Sequence, residues 1–176
     1  MKSIILAGFG GQGILFAGRQ LALTGMYLGK NVTWMPSYGA ESRGGTSNCT
    51  VIISDEEIGS PIVANPDILF AMSAPAYKKF APRIAPGGII INDSSMINEK
   101  CGREDISEYY IPATALAYDN NMQMAANVIM LGKLLKITGV FTPEELVDSM
   151  CKSIPEARKD LLEQNIKALD IGFGHE

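Results

Sequence analysis

The sequence predicts an α/β fold: a single domain over residues 1–176, with a doubly wound, mostly parallel or mixed sheet and helices on both faces. Three observations predict it. Lys2 to Ala7 is a short apolar run of strand type that feeds into Gly8-Phe9-Gly10-Gly11-Gln12-Gly13, after which Ile14, Leu15, Ala17, Leu21, Ala22 and Met26 recur at helical spacing. Short apolar runs then alternate with helix-like stretches down the chain. Finally, 47% apolar and 19% charged residues in a chain of 176 suffice for a substantial core.

The elements follow in order. Ile14 to Leu28 reads as about four helical turns, closed by Gly29-Lys30-Asn31 in the manner of a C-cap. Val32 to Met35 is the second strand, which makes a right-handed βαβ unit the expected opening. Pro36 to Gly45 has no apolar period and reads as a loop at the carboxyl end of that strand. Thr46 to Ser54 is a strand, followed by the acidic turn Asp55-Glu56-Glu57, and Ile62-Val63 is expected to pair back on it as a hairpin. Asp67 to Met72 is a buried strand; Ser73 caps the next helix, which has Pro75 in its first turn and runs to about Ile84. Pro86-Gly87-Gly88 ends that unit, and Ile89 to Asn92 is a continuous apolar strand of the parallel-sheet kind.

Residues 93–108 are polar and weakly patterned. Tyr109 to Pro112 reads as a short strand and Thr114 to Ala117 as loop or turn. Met122 to Ile137 is apolar around most of a helix, hence deeply buried or at an interface. Thr142-Pro143-Glu144-Glu145 spells a capping box, and a last helix runs from about Pro155 to Leu169. There is no repeat, low-complexity tract or linker.

Composition excludes several functions. A net charge of −4 with no long basic run argues against nucleic-acid binding. No apolar run reaches membrane-span length, and the N-terminal run is too short for a signal peptide. Cys49, Cys101 and Cys151 are odd in number, widely spaced and without C-x-x-C, so this chain alone offers neither a zinc ribbon nor a cluster site. Free thiols fit a cytoplasmic location. The only histidine, His175, reads as part of a frayed tail, so no Ser/His/Asp set is available. Met122, Met124 and Met130 read as core or interface filler. The apolar excess points to surface that a partner covers.

Two stretches carry chemistry. Gly8, Gly10 and Gly13 fit G-x-G-x-x-G, which supplies a tight turn, close approach of backbone to an anion and tight helix packing. A dinucleotide site also needs an acid at the end of the second strand, where Met35 and Pro36 stand, so a nicotinamide enzyme is disfavoured. No Gly-Lys-Ser/Thr follows, which excludes a P-loop. The Gln12 amide is placed to bond a ligand, a partner or the facing loop. In the second stretch, Arg43 stands between a serine and two glycines, a pattern that suits an anion, with Glu41 as its ion-pair partner. The alternatives are a turn that only packs and a loop held by its own Glu/Arg pair.

These motifs, Ile4 to Gly13 (I-I-L-A-G-F-G-G-Q-G) and Pro36 to Gly45 (P-S-Y-G-A-E-S-R-G-G), resemble the gamma subunit of 2-oxoacid:ferredoxin oxidoreductases. N-P-D-I-L at Asn65 to Leu69 and A-P-G-G at Ala85 to Gly88 extend the resemblance over nearly the whole chain. It implies an enzyme that converts a 2-oxoacid and coenzyme A to acyl-CoA and carbon dioxide and passes electrons to ferredoxin. It implies alpha, beta and delta-type partner subunits that hold thiamine diphosphate and iron–sulfur clusters. The isolated chain is then inactive, binds no cofactor by itself and has no catalytic residue or metal of its own. The resemblance then assigns a rim of Gly8, Gly10, Gly11, Gln12, Gly13, Ser37, Tyr38, Glu41, Arg43 and Gly44 to docking of partner subunits and to the diphosphate or adenosine part of a shared coenzyme A. The rival reading is a stand-alone nucleotide-binding or sensor domain.

Overall fold

The computed structural model describes residues 1–38 and 46–176, the side chain of Tyr38 excepted. Its elements are β1 (Lys2–Phe9), α1 (Ile14–Tyr27), β2 (Asn31–Tyr38), β3 (Thr46–Ser54), β4 (Ile68–Ala71), α2 (Ala74–Phe80), β5 (Ile89–Asp93), β6 (Ser107–Ile111), α3 (Ala113–Asp119), α4 (Ala126–Thr138), α5 (Pro143–Ser153) and α6 (Lys159–Gly174). The strands form one sheet in the order β2-β3-β1-β4-β5-β6. β1, β4, β5 and β6 are parallel, and β3 runs against both of its neighbours, β1 and β2. The α/β class with a mostly parallel, mixed sheet is thus the observed one.

Alternation along β1 explains the two layers. Ile4 and Leu6 face one side of the sheet, with Val51, Phe70, Ile91 and the inner stripes of α1, α4, α5 and α6. Ile5 and Ala7 face the other side, where Ala76, Tyr77 and Phe80 of α2 cover them. The first layer is the thicker: α4 is buried from Ala126 to Leu135. It crosses α6 where Gly132 faces the Leu169 carbonyl and Gly172 faces that of Ile129, contacts that no Cβ would fit.

Several expectations are corrected. β3, not β2, lies beside β1, so the opening βαβ unit has an antiparallel strand inserted in it. Residues 62–63 form no strand. Ile62 is 76% exposed and offers nothing to bury, whereas β1 gives β3 a partner along its full length, from Phe9↔Thr46 to Lys2↔Ile53. Pro36, Ser37 and Tyr38 are the end of β2 and not loop. Residues 113–119 are helix α3, where a loop or turn is expected over 114–117. The helix expected from Met122 opens with a 3₁₀ turn at Gln123–Ala125. α2 ends at Phe80 and a 3₁₀ turn completes it. The last helix is displaced toward the C-terminus, to Lys159–Gly174.

Other local signals hold. Ser73 caps α2 by accepting from the Ala76 amide, and Gly29 follows α1 at φ 74°. Thr142 Oγ1 accepts from the Glu145 amide (3.2 Å) while Glu145 Oε2 accepts from that of Thr142 (2.8 Å), the full capping box. His175 is not frayed: its carbonyl accepts from Lys133 Nζ at 3.1 Å and Lys136 Nζ at 2.9 Å. Among the described residues no helix is long and apolar enough to cross a membrane.

Candidate functional site

The glycine turn follows the carboxyl end of β1, and its three motif glycines do different work. A Cβ on Gly8 would lie 2.5 Å from Gln12 Oε1 and 2.9 Å from Ile14 Cδ1. Gly13 caps α1 at φ 73° and packs against the Asn127 amide of α4, which donates to the Gly13 carbonyl at 3.0 Å. Gly10 is exposed, and Gly11, at φ 95°, has open space where a side chain would be. No side chain caps α1 and no acid sits in its first turn, so its leading amides keep their positive partial charge. The part of the turn open to a ligand is Gly10-Gly11.

Gln12 turns inward from that open pair. Its Oε1 accepts from the Phe9 amide at 2.7 Å and its Nε2 donates to the Met72 carbonyl, just past the end of β4, at 2.9 Å. A cavity of about 190 Å³ opens beside it, between Gly11, Met72, Met96, Thr114, Gln123 and Met124. Asp93, fully buried at the end of β5, shapes the far wall. It accepts from the Thr114 amide (3.1 Å) and hydroxyl (2.5 Å) and from the Ser95 amide (3.0 Å), which joins the start of α3 to the loop carrying Met96.

The strand ends that flank residues 39–45 reach this edge. Gly8 is opposite Ser47 and Phe9 opposite Thr46, while Ser47 is also opposite Tyr38. The strand ends that bracket residues 39–45 therefore stand beside the glycine turn. Ser37 is exposed on β2, in one row with Asn48 and Ala7. Two strand spacings, roughly 10 Å, separate it from β1. Glu41, Arg43 and Gly44 lie outside the described residues, as does the Tyr38 side chain. A larger groove of about 420 Å³ runs between α1 and β2, lined by Ala22, Leu23, Met26, Val32 and Trp34. Its floor is mostly apolar, Arg19, Lys30 and Asn31 also line it, and it lies away from the turn.

Of the three cysteines, Cys49 is buried under α1, with its thiol pushed up to about 12 by burial, and Cys151 is exposed on α5. A thiol so hard to ionise is a poor metal ligand. Among the described residues no group of three or more His, Cys, Asp or Glu side chains is placed to hold a metal ion.

Sequence reasoning missed Asn127, Asp93 and the cavity wall. Asn127, a short polar residue within the apolar first turns of α4, is a usable signal, and it is buried at 3% exposed. Met124, read as filler, is 82% exposed at the cavity mouth, while Met122 and Met130 are buried as expected.

Fold and edge together define an open α/β domain with a glycine turn at the carboxyl edge of its sheet. Residues 3–174 match the family described as pyruvate ferredoxin/flavodoxin oxidoreductase, and the chain belongs to that family. It is 37% identical over 175 residues to the 2-oxoglutarate synthase subunit KorC of Methanocaldococcus jannaschii, covering 98% of this chain and 92% of that one. It is 36% identical over 167 residues to the ketoisovalerate oxidoreductase subunit VorA of Methanothermobacter thermautotrophicus; there the match takes in 95% of this chain but only 35% of the relative. The keto/oxoacid ferredoxin oxidoreductase gamma subunit of Geobacter sulfurreducens has the same fold, with a TM-score of 0.82, 30% identity, and 99% and 97% of the two chains covered.

Proposed function

We propose that the chain is the gamma subunit of a multisubunit 2-oxoacid:ferredoxin oxidoreductase. The complex turns a 2-oxoacid and coenzyme A into acyl-CoA and carbon dioxide and passes two electrons to ferredoxin. The observation that carries this reading is the family match from residue 3 to 174 in a chain of gamma-subunit length. Thiamine diphosphate in the alpha/beta-type partners supplies the decarboxylation chemistry, and iron–sulfur clusters in the delta-type partner carry the electrons. The three cysteines, Cys49 buried under α1, Cys101 half-buried in the loop before β6 and Cys151 exposed on α5, stand on separate elements and do not fit a cluster ligand set. We place the enzyme in the cytoplasm, where its thiols stay reduced.

In this reading the chain's own contribution is to bind and orient coenzyme A. The amides of Gly10, Gly11 and Gly13 face its diphosphate, with Arg43 as counter-charge and Glu41 as the partner of Arg43 when no ligand is bound. Gly8 and Gln12 shape the turn, while Ser37, Tyr38 and Gly44 complete the rim. Backbone amides with one cation suit a diphosphate ester. The test is Arg43→Ala in the assembled enzyme. The KM for coenzyme A rises about tenfold, the loss of one charge-assisted contact, while the KM for the 2-oxoacid holds. An unchanged KM for coenzyme A removes the rim from its binding.

A further inference from the structure

We propose that Gln12 is a positioning residue: it staples the end of β1 to the end of β4 and so holds the Gly10-Gly11 backbone in the shape that receives an anion. The proposal rests on the coenzyme A reading above. It differs from that reading in giving Gln12 no contact with the ligand.

The geometry is specific. Both ends of the Gln12 amide are used: Oε1 takes the Phe9 amide at the end of β1, within its own turn, at 2.7 Å, and Nε2 gives across to the Met72 carbonyl at the end of β4 at 2.9 Å. Gly8 is part of the same device, because a Cβ there would come 2.5 Å from Oε1 and expel the amide from its seat. On the far side of the turn a second side-chain amide, Asn127, holds the Gly13 carbonyl at 3.0 Å. Gly10-Gly11 spans the gap between these two clamps. Gly11 has no heavy atom within 4 Å of the place its Cβ would occupy, so packing does not fix it.

Two consecutive glycines have more backbone freedom than any other pair, and ordering them on binding costs free energy. A staple in place before the ligand arrives removes that cost from the binding step. It has to reach β4 as well as β1, since a bond within the turn alone would let the whole turn tilt. Met72 is the right anchor: its own amide donates to the Ala7 carbonyl at 2.9 Å, continuing the β1–β4 pairing. Gln12 and Met72 also form one wall of the cavity beside the turn, so the staple separates the two spaces.

The experiment uses the complete enzyme with its partner subunits and the near-isosteric Gln12→Met, which removes both bonds without adding charge. Two quantities are read: steady-state kinetics, and amide hydrogen exchange of the 8–13 segment with and without coenzyme A. The expected result is a KM for coenzyme A raised about tenfold, with kcat and the KM for the 2-oxoacid unchanged. Exchange of the turn is faster in the free enzyme and returns to the parent level at saturating coenzyme A. Gly8→Ala, which keeps the amide but displaces it, gives the same pattern and serves where Gln12→Met fails to assemble.

A raised KM with unchanged exchange makes Gln12 a direct ligand contact and overturns the proposal. A parallel fall of kcat and melting temperature, with no separate effect on the KM for coenzyme A, makes it a fold residue and also overturns it. Faster exchange with the KM for coenzyme A unmoved in both Gln12→Met and Arg43→Ala overturns the coenzyme A reading but leaves the staple standing as a structural fact. Unchanged exchange with a raised KM in Arg43→Ala alone overturns the role of Gln12 and leaves that reading intact.

Discussion

Gly13 sits at φ 73° with the Asn127 amide packed where a Cβ would go, while Gly11, at φ 95°, faces open space. Both positions are strained for any other residue, at about 1–3 kcal/mol, but only Gly13 also has a neighbour to displace. Gly13→Ala pushes Asn127 off the Gly13 carbonyl and leaves a buried amide without its acceptor, a further cost of about 1–3 kcal/mol. Gly13→Ala is therefore the more destabilising substitution by roughly that amount, read as the difference in urea unfolding free energy between the two variants. Equal losses would mean that the Asn127 contact contributes nothing. Gly11 stands at an open position of the motif and Gly13 is its third glycine, and the sequence does not say that Gly13 packs against α4, more than a hundred residues away. Gln12 has the same history: its amide was legible as a bonding group, but its anchor, the Met72 carbonyl, lies 60 residues on.

Glu108 of β6 ties three elements together. It accepts from Tyr77 of α2 at 3.0 Å, from Tyr110 of its own strand, and from the Cys101 amide in the loop before it. Burial first, and then this carboxylate, raise both phenols, Tyr110 to about 12. A phenol raised above its unfolded value of about 10 favours the folded state fully below that pH, and its contribution is lost as pH climbs through the folded value. Stability therefore falls between about pH 10 and 12, and Tyr110→Phe has a shallower fall over that window. The comparison of urea midpoints in parent and variant separates Tyr110 from Cys49, which titrates in the same range. A variant with the parent slope would show that Tyr110 does not contribute. At this scale the sequence was most readable where an element is defined locally: the apolar runs of β1, β4 and β5, the Thr142 capping box, the Ser73 cap. It was least readable where a tertiary contact decides. α3 is too short for a period to register and is anchored by the remote Asp93 carboxylate. The place of β3 beside β1 follows from competition between partners, which no local pattern records.

Uneven cover sets the behaviour of the whole molecule. Among the described residues, five of the six α-helices pack toward one face of the sheet, and α2 covers the other together with Ile97, Cys101 and Ile106 from the segment before β6. At the β2 edge, Met26, Leu28, Trp34 and Met35 are left exposed, and at the cavity Met96 and Met124 are too. Apolar groups grouped in this way are the mark of a chain that buries surface against others. The match to VorA carries the same message, because there the equivalent of nearly this whole chain makes up only a third of a longer subunit. Among the described residues the carboxyl edge of the sheet presents the glycine turn, and no group of three or more His, Cys, Asp or Glu side chains is placed to hold a metal ion. A stand-alone sensor domain and a gamma subunit then differ in what they do alone. The isolated chain is expected to reduce no methyl viologen with any 2-oxoacid and coenzyme A, and to show no saturable heat of binding with NAD. Adding the purified partner subunits restores the 2-oxoacid-dependent rate. Turnover by the chain alone, or tight NAD binding without affinity for those subunits, would return the glycine turn to the stand-alone reading that the missing acid after β2 disfavours.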